Sequence, residues 1–396
     1  MPTVDAHLPD DELRRWRLHS QRLLGPGFSC DGAGAASAVA WSGAVQSQDH
    51  QPALWSLARR CTGPDGLPPS EAEVAAAFDA GAFLRVHVLR PTWHFVPPDR
   101  HRELLALTAP RLVPSLAARW RELALPEELR TRAAEVLVAA IQESGPVTRA
   151  AGRAALERAG IEVEGQRMPH LLMAAELAGV LTSAPNEGRD ATWALAADRL
   201  PPDGAPRDRE TAVRDLVLTF VRSHAPATER DLAWWSGLSL TDVRAGLRAA
   251  QPHVAPLEVR GRRYWHAGPP PPATPGAGPA VHFVQSYDEY LVAHTESRGL
   301  ADPHGFARFM PRGAVLGPAV LVDGVLAGRW RRALAPRRVD VVVTPFAPLP
   351  APVLAEVGAE AERYAAFAGL PLRLVVEEPL TPTTAATSGP PTTSAG

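Results

Sequence analysis

Twice within residues 126–267 the chain runs through the same succession of patterns, and this recurrence constrains the fold more than any other feature. The first pass reads PVTRAAGRAALERAG, a loop, RMPHLLMAAELAGVL and the short apolar segment ATWALA: helix, helix, strand. The second reads DRETAVRDLVLTFVRSH, then PATERDLAWWSGLSLTDVRAGLRAA, then LEVRG and RRYWHA, which is helix, helix, helix and a hairpin turning near Gly261. That order is the one a winged helix-turn-helix follows. In the second pass WWSGL supplies the turn before a recognition helix that Ser239 or Thr241 caps, and Trp234 and Trp235 read as core.

The surrounding chain completes an α+β protein: tandem winged helix-turn-helix units over 126–200 and 201–267, with a C-terminal strand-rich domain. Residues 1–125 read as an N-terminal helical region. It opens with an amphipathic helix capped by Asp10 or Asp11, and a later helix is capped by Ser70. LRVHVLRPTWHFV reads as one or two strands around Pro91, and Pro98–Arg121 as helix broken at Pro110 and Pro114. The Pro/Gly stretch 268–280 is a linker. Beyond it, 281–378 forms an α+β domain with an Asp323-Gly324 hairpin turn, a helix over Ala351–Phe367 and the strand LRLVVEE; the Thr/Pro/Ser tail, 379–396, reads as disordered.

Composition excludes several classes. At 396 residues and 45% hydrophobic content the chain can bury sizeable cores. Cys30 and Cys61 form neither a disulfide framework nor a metal-ligand spacing, and the N-terminus lacks the regions of a signal peptide. No apolar run approaches the roughly 18 residues of a membrane span, so a reduced, cytoplasmic protein is expected. The net charge of −2 carries no global basic excess, so any nucleic acid must be met by local arginines. The available groups are Arg59 and Arg60, the hairpin residues Arg260, Arg262 and Arg263, and a later run that includes Arg331 and Arg332. Each reads as a set of phosphate contacts or as a solvated face. All 41 basic residues are arginine, so the sole amine for a Schiff base would be that of Pro2 after removal of Met1.

One stretch concentrates chemistry. WSGAVQSQDHQPALWSLARR places Gln46 and Gln48 two apart, follows them with Asp49 and then enters an apolar-periodic helix. Buried amides are costly without partners, so such a cluster serves either helix capping, with Asp49 as N-cap, or a site.

This stretch resembles the signature of the AlkZ-type DNA glycosylases, a superfamily that also includes YcaQ-type enzymes, whose hallmark is Gln-x-Gln or Gln-x-Asp with an apolar middle residue. RPTWHFVPP, TERDLAWWSGLSLTDVRAGL, SYDEYLVAH and VLVDGVLAGRW resemble the family in the same order, and together these segments span most of residues 35–375. The departure is Ser47, whose hydroxyl stands where the family has an aliphatic residue.

The resemblance implies catalysis by Gln46 and Gln48 on double-stranded DNA carrying alkylated purines, by a monomer with no cofactor, metal or membrane. It implies removal of bulky or crosslinking N7-alkylpurines, in self-resistance to a DNA-alkylating natural product. The chemistry accords with amides. An N7-alkylated purine already carries positive charge and leaves without a strong acid, so a neutral carbonyl that orients water at C1′ suffices. Asp49, Arg90, Trp93 and His94 are candidates to support the site, while Tyr287, Asp288 and Tyr290 read first as a structural turn. The competing reading is a non-catalytic winged-helix DNA-binding protein, a transcription factor or a lesion-sequestering protein.

Overall fold

The computed structural model describes residues 4–5, 8–30, 33–202, 207–272, 278–310 and 317–380. Pro2, the middle of the Pro/Gly linker and most of the Thr/Pro/Ser tail lie outside them. A short strand β1 (Val4–Asp5) pairs in parallel with residues 257–258. Helix α1 (Asp10–Ser20) buries Leu13, Trp16 and Leu18; Pro9 occupies its N-cap, and Asp10 and Asp11 fall in the first turn, where they meet the positive helix end without capping it.

The Gln stretch lies in a compact unit rather than in a purely helical region. It runs α2 (Gly34–Ser42), β2 (Val45–Gln46), α3 (His50–Ala58), α4 (Glu71–Asp79), β3 (Leu84–His87) and β4 (Trp93–Val96). β4 lies between β2 and β3 and is antiparallel to both. Ser70 and Glu73 form a reciprocal capping box at the start of α4. Helix α5 (His101–Glu122) then continues through Pro110 and Pro114, where a break was expected. Both prolines and the residues four before them, Ala106 and Pro110, are exposed, so the carbonyls left without N–H partners meet solvent. The opposite face buries Leu104, Leu105, Leu112, Leu116 and Trp120, which offsets the lost hydrogen bonds.

The same order then recurs. α6 (Glu127–Ser144), β5 (Val147–Thr148), α7 (Arg149–Arg158), α8 (Arg167–Leu177), β6 (Leu181–Glu187) and β7 (Asp190–Leu195) form a second unit, with β7 central in its sheet. After the short α9 (Ala196–Arg199), the third comprises α10 (Arg209–His224), α11 (Glu229–Ser236), α12 (Leu240–Ala249), β8 (Ala255–Val259) and β9 (Arg262–His266). Its first strand has shrunk to a bridge between Ala227 and Trp265. Ser239 caps α12 as expected, and Arg260 and Gly261 turn the hairpin with φ of 51° and 73°, the left-handed pair of a type I′ turn.

The C-terminal part comprises β10 (Val281–Val284), α13 (Glu289–Val292), β11 (Ala319–Val322), β12 (Val325–Ala335), β13 (Arg338–Pro345), α14 (Ala351–Ala368) and β14 (Leu372–Val376). The strands form one sheet in that order, antiparallel except for β13 beside β14. This sheet does not stand apart from the rest. Phe283, Trp330, Val341 and Tyr364 share a core with Leu54, Trp55, Phe78 and Phe95 of the first unit, and Trp55 Nε1 donates to the Phe283 carbonyl at 2.7 Å. A clamp of charge seals the junction: Asp288 accepts from both terminal nitrogens of Arg60 at 2.9 Å and from Ser56 Oγ at 2.7 Å. Asp288 also caps α13 by accepting from the Tyr290 N–H, which agrees with the structural reading of that turn.

Candidate active site

Strand alternation sorts the Gln stretch. Val45 pairs opposite Phe95 and turns into the core shared with the C-terminal sheet, whereas Gln46 pairs opposite His94 on the other face. There Gln46 is buried, and its side-chain Oε1 accepts from Arg90 Nη2 at 2.7 Å. The same Nη2 lies 3.2 Å from His94 Nε2, while His94 Nδ1 is 2.9 Å from the Thr92 carbonyl. Only a neutral His94 that donates through Nδ1 and accepts through Nε2 satisfies both contacts. Burial, followed by the Arg90 charge, holds its pKa well below the ordinary value and so favours that form.

Arg90 is itself buried, and Nη1 donates to the Trp235 carbonyl at 2.6 Å. Gly237 makes this approach possible: a Cβ there would stand 2.0 Å from the Leu89 carbonyl oxygen. Below the strand, Glu289 Oε1 accepts from the Gln46 backbone N–H at 2.7 Å, and its Oε2 accepts from Trp235 Nε1 at 2.8 Å. Gln46 is therefore held by the first unit, the third unit and the C-terminal part together.

Gln48 follows the strand and is half-buried, with Oε1 accepting a long bond from the Trp93 N–H at 3.3 Å. Arg85 fixes its backbone by donating through Nε to the Ser47 carbonyl at 3.0 Å and through Nη2 to the Gln48 carbonyl at 3.1 Å. The Arg85 guanidinium lies 4.3 Å from the centre of the Trp93 ring, and burial lowers its pKa to about 10. The Trp93 ring also packs against the His87 ring, with centres 4.3 Å apart. Beneath both, buried Glu176 pairs with His87 Nδ1 at 2.5 Å and accepts from Trp193 Nε1 at 2.6 Å. Burial works to raise the Glu176 pKa, but His87 and these hydrogen bonds outweigh it and hold the carboxyl below its ordinary value.

The structure thus brings Gln46, Arg90 and His94 into one cluster and Gln48 and Trp93 into the next. Asp49 sits at the N-cap of α3, yet its side chain makes no capping bond and is exposed. Ser47 is fully buried, and its Oγ has no hydrogen-bond partner among the described residues, so the extra hydroxyl is a cost rather than a contact. Trp235 is core as expected, but Trp234 is 48% exposed; its ring centre lies 5.9 Å from the Arg90 guanidinium.

The arginines divide. Arg60 is buried and spent on Asp288, and Arg59 pairs with Glu360 at 2.5 Å, so both are occupied by the C-terminal part instead of presenting a surface to phosphate. Arg260, Arg263 and Arg331 are exposed and pair with Asp10, Glu258 and Glu377; such surface pairs exchange readily for another anion. Arg262 is exposed at the same hairpin, and Arg332 is half-buried, 5.8 Å from the Tyr364 ring centre. Arg85, Glu289 and Glu176 escaped the sequence reading; a charged residue inside the otherwise apolar strand pattern of LRVHV was the available signal for Arg85.

Comparison with known proteins places the chain in a class. Residues 39–367 match the family described as "DNA glycosylase AlkZ-like", and the chain belongs to that family. It is therefore a DNA glycosylase, a hydrolase of N-glycosyl bonds, and the non-catalytic alternative gives way. Among solved structures it is similar to the Streptomyces sahachiroi DNA glycosylase AlkZ, with TM-score 0.71 and 20% identity over 93% of this chain and 100% of that one. No curated protein matches the chain. Among the described residues no helix is long and apolar enough to cross a membrane.

Proposed function

We propose that the protein is a monofunctional glycosylase that releases N7-alkylpurines, bulky or crosslinking adducts among them, from double-stranded DNA and leaves an abasic site. Its three recurring units act as winged helices, and arginines of the β8/β9 and β12/β13 hairpins, the exposed Arg260, Arg262, Arg263 and Arg331 with the half-buried Arg332, meet backbone phosphate. A role in self-resistance to an alkylating natural product, as a monomer, belongs to the same reading.

The observation that carries it is the neutrality of the two amides. Among the described residues no acid is hydrogen-bonded to the side chain of Gln46 or Gln48, and the nearby His94 is held neutral. A site of this kind cannot protonate a reluctant base. An N7-alkylpurine does not ask it to: the C1′–N9 bond breaks, its electron pair neutralises the cationic base, and water oxygen bonds to C1′ and releases its proton to solvent. Gln48, which reaches solvent, orients that water through its carbonyl.

The absence of lysine from the chain supports release without strand cleavage. Borohydride trapping on an N7-methylguanine duplex, run beside a uracil duplex, tests both points. The expected result is an abasic site from the first duplex only, with no covalent adduct; a trapped adduct or efficient uracil release contradicts the reading.

A further inference from the structure

We infer that Gln46 meets the substrate as a hydrogen-bond donor, through its amide NH2, and that Arg90 and Glu289 are the residues that position it. The inference rests on the glycosylase reading and divides the work of the two amides within it.

The orientation of the amide follows from chemistry. A guanidinium has donors only, so the Gln46 atom 2.7 Å from Arg90 Nη2 is the carbonyl oxygen, and the NH2 is the outward end. Arg90 cannot turn away without loss, because Nη1 holds the Trp235 carbonyl at 2.6 Å and Nη2 also serves neutral His94 at 3.2 Å. The Gln46 backbone is fixed independently by Glu289 at 2.7 Å, and Glu289 is held by Trp235 Nε1 at 2.8 Å. Gln46, Glu289, Trp235 and Arg90 thus close a ring that ties down both the peptide and the carbonyl. The Nε2 of Gln46 makes no hydrogen bond to the described protein.

A carbonyl bound to a guanidinium is a poor partner for a sugar cation or for the protons of water, since Arg90 draws on its electron density and adds positive charge beside it. A donor suits the other product of bond cleavage. As C1′–N9 breaks, its electron pair flows into the purine, and N3, bonded to the carbon next to N9, is an acceptor on which density gathers. Gln46 NH2 donates to that edge of the leaving base. Gln48, whose side-chain carbonyl has among the described residues only the long 3.3 Å bond to the Trp93 N–H, remains the group that holds water.

The test is single-turnover release of N7-methylguanine from duplex DNA, with lesion-duplex binding and thermal unfolding measured on each variant. Gln46→Glu keeps an oxygen for Arg90 but replaces the donor. It should be as slow as Gln46→Ala, at least about tenfold below wild type, with affinity within about twofold. A 3-deaza lesion, which lacks N3, should slow the wild type relative to its spontaneous loss yet leave Gln46→Ala unchanged. Arg90→Met should lower the rate about tenfold alone but add less than about twofold in the Gln46→Ala background, and Arg90→Lys should recover part of the loss. If Arg90→Met does not fold, Arg90→Lys alone carries the comparison, slower than wild type but without effect in the Gln46→Ala background. Gln46→Glu at or above the wild-type rate overturns the donor role, as does equal slowing of both proteins by the 3-deaza lesion; Arg90 effects that multiply with Gln46→Ala overturn the positioning role. Failure of the wild type to release N7-methylguanine instead brings down the N7-alkylpurine reading on which the inference rests.

Discussion

Replacing Asp288 by asparagine probes the clamp that joins the first unit to the C-terminal part. Both side chains of the Arg60–Asp288 pair are 2% exposed, and the carboxylate accepts from both terminal nitrogens of Arg60 and from Ser56 Oγ. Burial opposes the charged carboxylate, but Arg60 outweighs it and holds the Asp288 pKa below the ordinary value; burial likewise opposes the Arg60 charge, and Asp288 outweighs it to raise that pKa. Asp288→Asn leaves the guanidinium in the same dry place without a countercharge, which costs about 3–5 kcal/mol. With a guanidinium m-value of about 4 kcal/mol/M, the midpoint should fall by about 1 M. Tryptophan fluorescence is the suitable probe, since Trp55 and Trp330 lie in the core that the clamp closes. Replacing the pair together, Arg60→Met with Asp288→Leu, should cost less than Asp288→Asn alone, because no unpaired charge remains, although the cap on α13, about 1 kcal/mol, and the hydrogen bonds of the pair to Ser56 and Gln21 are lost. A loss below about 1 kcal/mol for Asp288→Asn, or a double variant as unstable as the sum of its singles, would refute the reasoning.

Three further outcomes are expected. Ser47→Ala removes a buried hydroxyl without a partner and should stabilise the fold by about 1 kcal/mol in chemical denaturation; destabilisation of that size would mean the hydroxyl is satisfied. Stability should fall on acidification from about pH 6.5 toward 4, because burial holds His282 and His294 at about 3, His50 and His101 at about 4 and His94 well below its ordinary value. The unfolded chain binds protons there that the folded chain refuses, up to about 1.4 kcal/mol per pH unit for each group; the depressed carboxyl of Asp288 adds to the loss only below about pH 4, and a flat profile between 6.5 and 4 would contradict the burial of these rings. Trp234→Ala should leave stability within about 1 kcal/mol and weaken binding of lesion duplex about tenfold, the scale of one base stacked on an aromatic face; unchanged binding would return Trp234 to a packing role.

What the sequence disclosed was local. The Gln46/Gln48 pair stands out because polar amides interrupt an apolar pattern, and caps such as Ser70 and Ser239 and turns such as Asp323-Gly324 depend on residues a few positions apart. The first unit escaped the repeat because a Gly/Pro loop separates its helices and its hairpin closes through residues 88–92, without a two-residue turn signature. Two of its three strands, β2 and β4, hold Gln46 and Trp93, so the missed unit is the one that carries the candidate site. Trp234 and Trp235 differ because adjacent helical positions point about 100° apart and a short helix buries one face. The destinations of Arg59 and Arg60 depend on Asp288 and Glu360, more than two hundred residues later, and no local pattern announces a pairing of that span.

Incubation of the wild-type protein and its Gln48→Ala variant with duplex DNA carrying one N7-methylguanine, followed by alkaline cleavage at abasic sites, tests the central claim most directly. The wild type should convert the lesion to an abasic site, and Gln48→Ala should do so at least about tenfold more slowly with unaltered duplex binding. No abasic sites with the wild type, or equal rates for both proteins, would contradict it.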